Sequence, residues 1–375
     1  MDKSSVRNLF PYLKQGIIYF NHASTGPVST LVVKTLTELL KEKSENNIDD
    51  FPSFLKVVEE TKKLLAQLIN CNTDRTAFVD NTTNGLNIIA QSVEWKKGDR
   101  ILLNDIEFPA NVYPFLNLKR FGVEVDFVKS ENGIVTAEEL IEAVKPGTRM
   151  ISVSFVQFLS GYKIDLEKIG NYCRANDIIF CVDGIQGVGA ANIDVKKSKI
   201  DFLSSGTQKW LLGMQGLAFI YIDENLQKKI TPSNVGWLSV NNAWNLLDYK
   251  LDLKTSANVF QGGTLNTFGI YAFNTSLKLF SDFGFNNVEE QVLSNTKYFI
   301  EKLKKIGLNP VLTNCTDENL AGIVTYKPEN PEKIFNELSK KNIICSLREG
   351  LIRFAPHFYN IHQEIDIVVE ELQKI

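Results

Sequence analysis

The chain has 375 residues, with 41 Lys and Arg against 44 Asp and Glu and a net charge of −3. This near balance of charge, without any basic run, gives no sign of binding to nucleic acid. No apolar segment has the length that a membrane span requires. A chain of this size predicts a large core together with a second, smaller domain.

Cysteines and histidines are too few and too scattered to predict a metal site or a disulfide framework. The five cysteines form no CxxC pair, and only three histidines are present. Their positions are Cys71, Cys173, Cys181, Cys315 and Cys345, and His22, His357 and His362. The first residues also lack the apolar stretch and the cleavage site of a signal peptide. We therefore expect no bound metal and a location in the cytoplasm.

A turn-rich segment at 19–27 comes first, and helices are expected at 27–46 and 51–69. Short apolar strands then alternate with helices. The strands are expected at 76–79, 100–103, 123–128, 150–156, 178–182, 200–203 and 217–222, and the helices at 84–92, 111–119, 136–140 and 166–175. This alternation predicts a mainly parallel sheet covered on both faces. The last strand follows too closely for a helical crossover and should be antiparallel.

The pattern changes after residue 266, where longer amphipathic helices begin. Helices are expected at 270–283, 288–306 and 364–373, and strands at 323–326 and 351–354. The change predicts a large domain over residues 1–266 and a small α+β domain over residues 267–375. The N-terminal segment, although part of the first domain by sequence, is expected to be able to pack on the second.

Polar residues follow three of the predicted strands, where ligands bind in doubly wound sheets. Thr82 and Thr83 begin a helix after 76–79, and a helix N-terminus with hydroxyls favours phosphate. Asp183 ends the strand 178–182, and Lys209 follows the next strand. Each feature alone is ordinary: a helix cap, a turn aspartate and a solvated lysine. Together they match the phosphate, the ring nitrogen and the aldehyde of pyridoxal phosphate.

With these residues the chain resembles the class V aminotransferase family of fold type I pyridoxal-phosphate enzymes. That family includes cysteine desulfurases, kynureninases and isopenicillin N epimerase-like proteins. Similar stretches extend from 19–23 to 353–360, and the strongest are 182–186 and 208–211. The resemblance implies an α/β fold, with a mostly parallel seven-stranded sheet between two layers of helices and a smaller C-terminal α+β domain.

The resemblance also implies roles around the cofactor. Lys209 binds pyridoxal 5'-phosphate as a Schiff base and later removes the α-proton of the substrate. Asp183 keeps the ring nitrogen protonated, which makes the ring an electron sink. The remaining cofactor contacts that it implies are Gln186 at the phenolic oxygen, Ile185 and Phe108 against the ring, and Thr82, Thr83 and Gln208 at the phosphate.

Two arginines and one Gly-Thr segment complete the implied site. Arg353 grips the substrate α-carboxylate with its fork of N–H groups, and Arg348 is a second candidate for an anion contact. Without the resemblance, Arg353 would be interpreted as a surface arginine on a short strand. Gly263-Thr264 resembles the segment through which one subunit contacts the phosphate of its neighbour's cofactor. A homodimer with shared active sites is therefore expected, without nucleic-acid or membrane partners.

Some residues depart from the pattern of cysteine desulfurases. The cysteine nearest to Arg353 is Cys345, which lies in an apolar stretch typical of a buried thiol. Phe108 stands where desulfurases usually have histidine, and Phe158 where they commonly have asparagine. A core phenylalanine remains an alternative for Phe108. Gly206 replaces the usual hydroxyl residue, which leaves the set of phosphate ligands open.

The function predicted from the sequence is a pyridoxal-phosphate enzyme acting on a small amino acid, with transamination as the main interpretation. A C–S or β-lyase, an epimerase or a cysteine desulfurase-like enzyme is the alternative, because these reactions share the loss of the α-proton. A cofactor-binding protein without turnover is the second alternative. The presence of Lys209, Asp183 and Arg353 together favours catalysis.

Overall fold

The computed structural model describes all 375 residues and contains twelve strands in three sheets. In chain order the strands are β1 Ile18–Tyr19, β2 Thr76–Val79, β3 Arg100–Asn104, β4 Glu124–Val128, β5 Thr148–Ser154, β6 Ile179–Asp183, β7 Phe202–Gly206, β8 Ala218–Ile222, β9 Val324–Tyr326, β10 Ile343–Ile344, β11 Ser346–Arg348 and β12 Leu351–Phe354. Seven of them form the central sheet in the order β2-β8-β7-β6-β5-β3-β4.

Twelve α-helices surround these sheets, and short 3₁₀ turns join some of them to the strands. In chain order the helices are α1 Lys3–Arg7, α2 Thr30–Glu45, α3 Phe51–Ile69, α4 Thr82–Ser92, α5 Tyr113–Leu116, α6 Ala137–Glu142, α7 Leu166–Ala175, α8 Glu224–Gln227, α9 Thr267–Phe283, α10 Phe285–Lys305, α11 Pro331–Lys340 and α12 His362–Lys374. None of the helices has the length and apolar character needed to cross a membrane.

The central sheet is parallel from β7 through β6, β5 and β3 to β4, whereas β8 is antiparallel to both β7 and β2. The predicted parallel sheet and its antiparallel last strand are confirmed. Only residues 207–217 join β7 to β8, and such a connection is too short to cross over a sheet with a helix. Every residue of β7 and β8 is buried, as expected for strands covered on both faces.

Helix α4 lies unusually close to β7, which brings its N-terminus to the edge of the sheet. A Cβ atom on Gly85 would lie 2.1 Å from the hydroxyl of Ser204, so only glycine permits this approach. The Asn81 side chain caps the helix by accepting a hydrogen bond from Asn84 N at 2.8 Å. The helix therefore begins with its free N–H groups beside the end of β7.

Residues after α9 form a second, three-stranded antiparallel sheet in the order β11-β12-β9, packed by α10, α11 and α12. The predicted helices and strands of this region are present, but α11, β10 and β11 were not predicted. Helix α11 buries only Leu338 fully. Helix α9 packs against α2 and α3, on the other side of the proposed boundary. The division at residue 266 stays a prediction.

The N-terminal segment connects the C-terminal region with the central sheet. Strand β1 pairs in parallel with β10, and its neighbour Asn21 forms a bridge with Ala355. Arg7 donates hydrogen bonds to Tyr359 O at 2.8 Å and forms an ion pair with Glu364 at 3.0 Å. The segment then continues along the edge of the central sheet, where it meets the loop after β7.

Candidate active site

Two neighbouring parallel strands end side by side at the centre of the sheet. In the register of β6 and β7, Asp183 lies opposite Ser204. The loop after β7 carries Lys209 back toward the same edge. The positive charge of Lys209 is close enough to lower the pKa of Asp183. The structure thus brings together the carboxylate and the amine that the sequence placed at successive strand ends.

The Asp183 carboxylate is buried and only half satisfied. Its side chain is 2% exposed, and Oδ1 accepts a hydrogen bond from Ile185 N at 3.0 Å. Oδ2 is buried without any hydrogen-bond partner. Burial raises the pKa of this carboxyl group, and the nearby Glu107 carboxylate raises it further. A hydrogen-bond donor at Oδ2, such as a protonated ring nitrogen, would complete the group.

The Lys209 ammonium is within no ion pair, and its Nζ lies 5.7 Å from the centroid of the Phe108 ring. Burial lowers the pKa of Lys209, the Asp183 carboxylate opposes this shift, and the positive charge of Arg353 adds to it. A lysine with a lowered pKa is partly neutral near pH 7, and only the neutral amine acts as a nucleophile or a base.

The N-terminal segment holds the lysine loop in place. Gly26 N donates a hydrogen bond to Gln208 O at 2.7 Å. A Cβ atom on Gly26 would lie 2.4 Å from Lys209 O, so a side chain here would displace the loop. The close approach explains why a turn-rich, small-residue segment is needed at 19–27.

Gly206 lies among the residues that are predicted to hold the phosphate. A Cβ atom on Gly206 would lie 2.5 Å from Gln208 Oε1, 3.0 Å from Ile185 Cδ1 and 3.2 Å from Thr82 Oγ1. The Thr82 hydroxyl is buried without a hydrogen-bond partner. Glycine at 206 thus leaves room between Gln208, Ile185 and Thr82. Thr83 is exposed, and its role at the phosphate stays a prediction.

Phe108 is not a core phenylalanine, because its side chain is 44% exposed. Its ring meets the ring of Phe158 edge to face, with centroids 5.3 Å apart and planes at 78°. The pair forms an apolar wall beside Lys209. An exposed ring in this position is available to stack on a flat cofactor.

Arg353 is buried, contrary to the surface position suggested by its short strand. It donates hydrogen bonds to Ser346 Oγ at 3.1 Å, Phe158 O at 2.6 Å and Ser24 Oγ at 3.0 Å. No carboxylate pairs with it. Burial, and next the charge of Arg348, lower the pKa of its guanidinium to about 10. Three of its five N–H groups are used, and the others remain for a carboxylate.

The remaining predicted residues are less directly placed. Gln186 accepts a hydrogen bond from Trp210 Nε1 at 3.0 Å and donates one to Ala23 O at 2.9 Å, so only one amide proton is left for a phenolic oxygen. Arg348 is exposed and is the last residue of β11. Thr264 lines a separate cavity of about 530 Å³ beside the start of α4, together with Asp80 and Asn84. The roles of these residues stay predictions.

The sequence interpretation missed several residues that hold the site together. Glu107 is a buried carboxylate directly before Phe108, and Ser24 and Ser346 position Arg353. His357 Nε2 bonds to Trp210 O at 2.8 Å and supports the lysine loop from the C-terminal side. Of these residues, only Glu107 could have been noticed in the sequence, because the polar Asn104 and Asn111 stand on either side of it.

The residues present fit pyridoxal phosphate. The unpaired carboxylate oxygen on Asp183 suits the ring nitrogen, and the unpaired hydroxyl on Thr82 with the space at Gly206 suits the phosphate. Lys209 would hold the cofactor covalently, and Phe108 would cover its ring.

Comparison with known proteins agrees with this arrangement. Residues 18–364 match the family model described as Aminotransferase class-V. The chain belongs to the class-V aminotransferase family. Members of this family share the fold type I architecture and use pyridoxal 5'-phosphate, so this protein is a pyridoxal-phosphate-dependent enzyme of that fold.

Curated relatives of similar length carry two kinds of name. A "Probable cysteine desulfurase" of Ureaplasma parvum is 28% identical over 98% of this chain and 96% of its own. One of Methanothermobacter thermautotrophicus is 26% identical over 100% and 98%. An "Uncharacterized aminotransferase YcbU" of Bacillus subtilis is also 26% identical, over 98% and 96%. This chain is thus similar to proteins of both names.

Solved structures share the fold at lower identity. The apo structure of a cysteine desulfurase from Thermococcus onnurineus superposes with a TM-score of 0.89 at 21% identity, covering 99% of this chain and 97% of that one. The cystine C-S lyase C-DES, in complex with cysteine persulfide, gives 0.89 at 22%, covering 98% and 99%. The predicted fold class is therefore confirmed over the whole chain.

Proposed function

We propose that this enzyme is a C–S lyase that acts on cysteine or a cysteine derivative and releases the sulfur product into solution. The names of the relatives support a sulfur-containing amino acid as substrate. They favour this alternative over the transamination that the sequence interpretation placed first. The turn between β11 and β12 is the observation that favours release of the sulfur product into solution over its transfer to a protein thiol.

That turn consists of Glu349 and Gly350 alone, both in the left-handed region with φ of 48° and 74°. Two such residues form the tight turn of a short hairpin. The hairpin therefore has no loop on which a cysteine could move into the cleft. Cys345, just before β11, is 4% exposed, and burial raises the pKa of its thiol to about 12. A buried, protonated thiol is a poor sulfur acceptor.

The residues of the cleft supply what the reaction needs. When bound, pyridoxal phosphate withdraws electrons from the substrate α-carbon, which lets the α-proton leave as an acid. Arg353 binds the α-carboxylate and orients the α-carbon toward Lys209. The neutral Lys209 amine accepts the α-proton on Nζ. Asp183 keeps the ring nitrogen protonated, and Phe108 with Phe158 excludes water from this side.

The overall reaction balances with water as the only other reactant. The Cβ–S bond breaks with both electrons on sulfur, and the sulfur leaves as a thiolate that takes up a proton. From L-cysteine and water the products are pyruvate, ammonia and hydrogen sulfide. No reductant and no protein thiol is required.

Transamination remains a second candidate, favoured by the similarity to the Bacillus subtilis protein named as an aminotransferase. It uses the same Lys209 and Arg353. It differs in requiring a keto acid to accept the amino group, so activity would depend on that second substrate.

A panel of L-amino acids followed by product analysis tests the proposal. We expect pyruvate, ammonia and sulfide from cysteine or a cysteine disulfide, without added keto acid. Alanine with protein-bound sulfur would indicate a desulfurase, a keto acid formed only with an amino acceptor would indicate an aminotransferase, and racemised substrate an epimerase. No turnover, and no change of cofactor absorption with any amino acid, would support the non-catalytic alternative.

We also propose that the enzyme is a homodimer. An exposed apolar segment precedes Gly263-Thr264, with Leu247 83% and Tyr249 89% exposed together with Trp244. Exposed apolar surface of this kind is typical of an interface. Packing of this segment on a second copy would bring Thr264 toward the neighbouring site, as the predicted contact requires.

A further inference from the structure

A second carboxylate lies buried directly behind Asp183, and the reaction described above does not use it. Glu107 is 7% exposed and follows β3 in the loop that carries Phe108. No lysine, arginine or histidine forms an ion pair with it. A buried charge without an opposite charge is costly unless hydrogen bonds satisfy it.

Hydrogen-bond donors surround this carboxylate. Oε1 accepts hydrogen bonds from Asn104 Nδ2 at 2.6 Å, Ser154 N at 2.9 Å and Gln157 Nε2 at 3.0 Å. Oε2 accepts from Asn111 Nδ2 at 3.0 Å and from the Ser154 hydroxyl. Both oxygens act only as acceptors, which is the environment of a carboxylate anion.

Ser154 connects the two acids. It lies directly opposite Asp183 in the pairing of β5 with β6, and it contacts Glu107 through both its backbone N–H and its hydroxyl. The titratable groups that face Asp183 are Glu107 behind it, Lys209 on the side of the cleft and Cys181 on its own strand. Burial raises the pKa of the Cys181 thiol to about 12, which leaves Glu107 and Lys209 as the charges near Asp183.

We propose that Glu107 is a positioning residue whose negative charge, acting through Asp183, keeps the proton on the ring nitrogen of the bound cofactor. Loss of that proton would leave two neighbouring carboxylates without the positive charge of the ring beside Asp183. Their mutual repulsion therefore favours the protonated ring up to a higher pH than Asp183 alone would. The inference rests on cofactor binding and not on the reaction proposed above, because the ring nitrogen is protonated before any substrate binds.

The test uses the full chain loaded with cofactor labelled with ¹⁵N in its ring, without substrate. The ¹⁵N chemical shift is followed across a pH titration, because it reports the proton on that nitrogen directly. In Glu107→Gln we expect the midpoint for loss of the proton to fall by about one pH unit, the size of shift that one nearby charge produces. Asp183→Asn, as the positive control, should lose the proton throughout.

Two further variants separate charge from structure. Ser154→Ala removes one hydrogen bond but leaves the charge, so its midpoint should stay at the wild-type value; a fall as large as that of Glu107→Gln would overturn the proposal. Glu107→Asp draws the charge back by one methylene and should give an intermediate midpoint. An unchanged midpoint in Glu107→Gln overturns the proposal. If that variant does not fold, an unchanged midpoint in Glu107→Asp has the same meaning.

Discussion

Asp183 and Arg353 are both buried, and neither is paired with an opposite charge. Each is held by neutral groups on one side and left with free hydrogen-bonding capacity on the other. Such an arrangement costs stability in the apo-protein, because a buried charge that is incompletely satisfied loses its hydration. Binding of a ring nitrogen and a substrate carboxylate completes the hydrogen bonds of these two side chains. The same residues therefore lower the stability of the apo-protein and raise its affinity for cofactor and substrate.

Asp183→Asn should therefore stabilise the apo-protein while abolishing the function of the loaded enzyme. Burial raises the pKa of Asp183 in the folded state from its usual 3.8 to about 7, so the folded protein binds more protons than the unfolded one between these two pH values. Stability contributed by the protonated form is lost as the pH rises through the folded pKa. At pH 8 the variant should be more stable by about 1–3 kcal/mol, and near pH 4 it should equal the wild type.

Urea unfolding of both apo-proteins at the two pH values measures this difference. The exposed Asp49, which forms no hydrogen bond through its side chain, provides a matched control, and Asp49→Asn should change neither value. A wild type that is the more stable protein at pH 8 would contradict the account of the unpaired Oδ2.

Arg353→Lys should weaken the binding of every amino-acid substrate. Lysine keeps the positive charge but loses the fork that grips a carboxylate with two parallel hydrogen bonds. Loss of about 1.5–3 kcal/mol is expected for a hydrogen bond to a charged group, which corresponds to a KM raised about 10- to 100-fold. Steady-state kinetics with two substrates of different side chain measure it. The exposed Arg120→Gln is the control, and an unchanged KM in Arg353→Lys would refute the assigned role.

Two elements determine how the site is assembled. The N-terminal segment pairs β1 with β10 and then packs Gly26 against the lysine loop, so it joins the two sheets across the cleft. The hairpin of β11 and β12 places Arg353 opposite Ser346 and ends in a turn of only two residues. The first element holds Lys209, and the second holds Arg353 without offering a mobile cysteine.

Cys345→Ala should leave the rate of sulfide formation at the wild-type level. The thiol is buried and its pKa is raised to about 12, so it behaves as a small apolar group. Removing its sulfur atom should cost roughly 1 kcal/mol of unfolding free energy through lost packing. Rate assays and urea unfolding measure the two effects, and Lys209→Ala is the inactive control. A variant that folds but forms no product would favour a desulfurase.

Arg7→Ala should destabilise the junction between the N-terminal segment and α12. Its guanidinium bonds to Tyr359 O and to Glu364, whose carboxylate is largely buried. Leaving that carboxylate without its partner should cost about 1–3 kcal/mol. The exposed pair of Lys41 and Glu45 is the comparison, and Lys41→Ala should have little effect. Equal losses in the two variants, by urea unfolding, would contradict this account.

The whole molecule presents apolar surface that a single copy does not cover. Trp244, Leu247 and Tyr249 are exposed in one segment, and Thr264 lies on the wall of a cavity beside α4 that does not contain Lys209. A second copy covering this surface would bury the aromatic rings and bring each Thr264 toward the site of its neighbour. Assembly and cofactor binding should therefore be linked.

Leu247→Glu combined with Tyr249→Glu should convert the dimer into a monomer, because two charges cannot be buried in an apolar interface. The monomer should bind pyridoxal phosphate about tenfold more weakly, since one hydrogen bond to the phosphate is lost. Analytical ultracentrifugation and cofactor titration measure the two effects. An exposed substitution outside the segment, Lys119→Glu, is the control. A variant that stays dimeric, or a wild type that is monomeric, would refute the interface.

The sequence by itself determined the sheet and the chemistry of its edge. Apolar runs of strand length, separated by helices, predicted β2 to β8 and their directions, because burial on both faces imposes continuous apolar strands. Asp183 and Lys209 were predictable in the same way, since each follows such a run directly. Helix α11 was not predicted, although Ile334, Phe335 and Leu338 pack on the core from one helix.

Only the tertiary structure decided which polar groups are buried and what they face. The burial of Arg353, the carboxylate of Glu107 behind Asp183, and the approach of Thr82 to Gly206 all depend on residues far apart in the chain. A periodic sequence pattern indicates only which face of a helix or strand is buried. The energy of a charge depends on the few atoms within hydrogen-bond distance, and those atoms are brought together only by the fold.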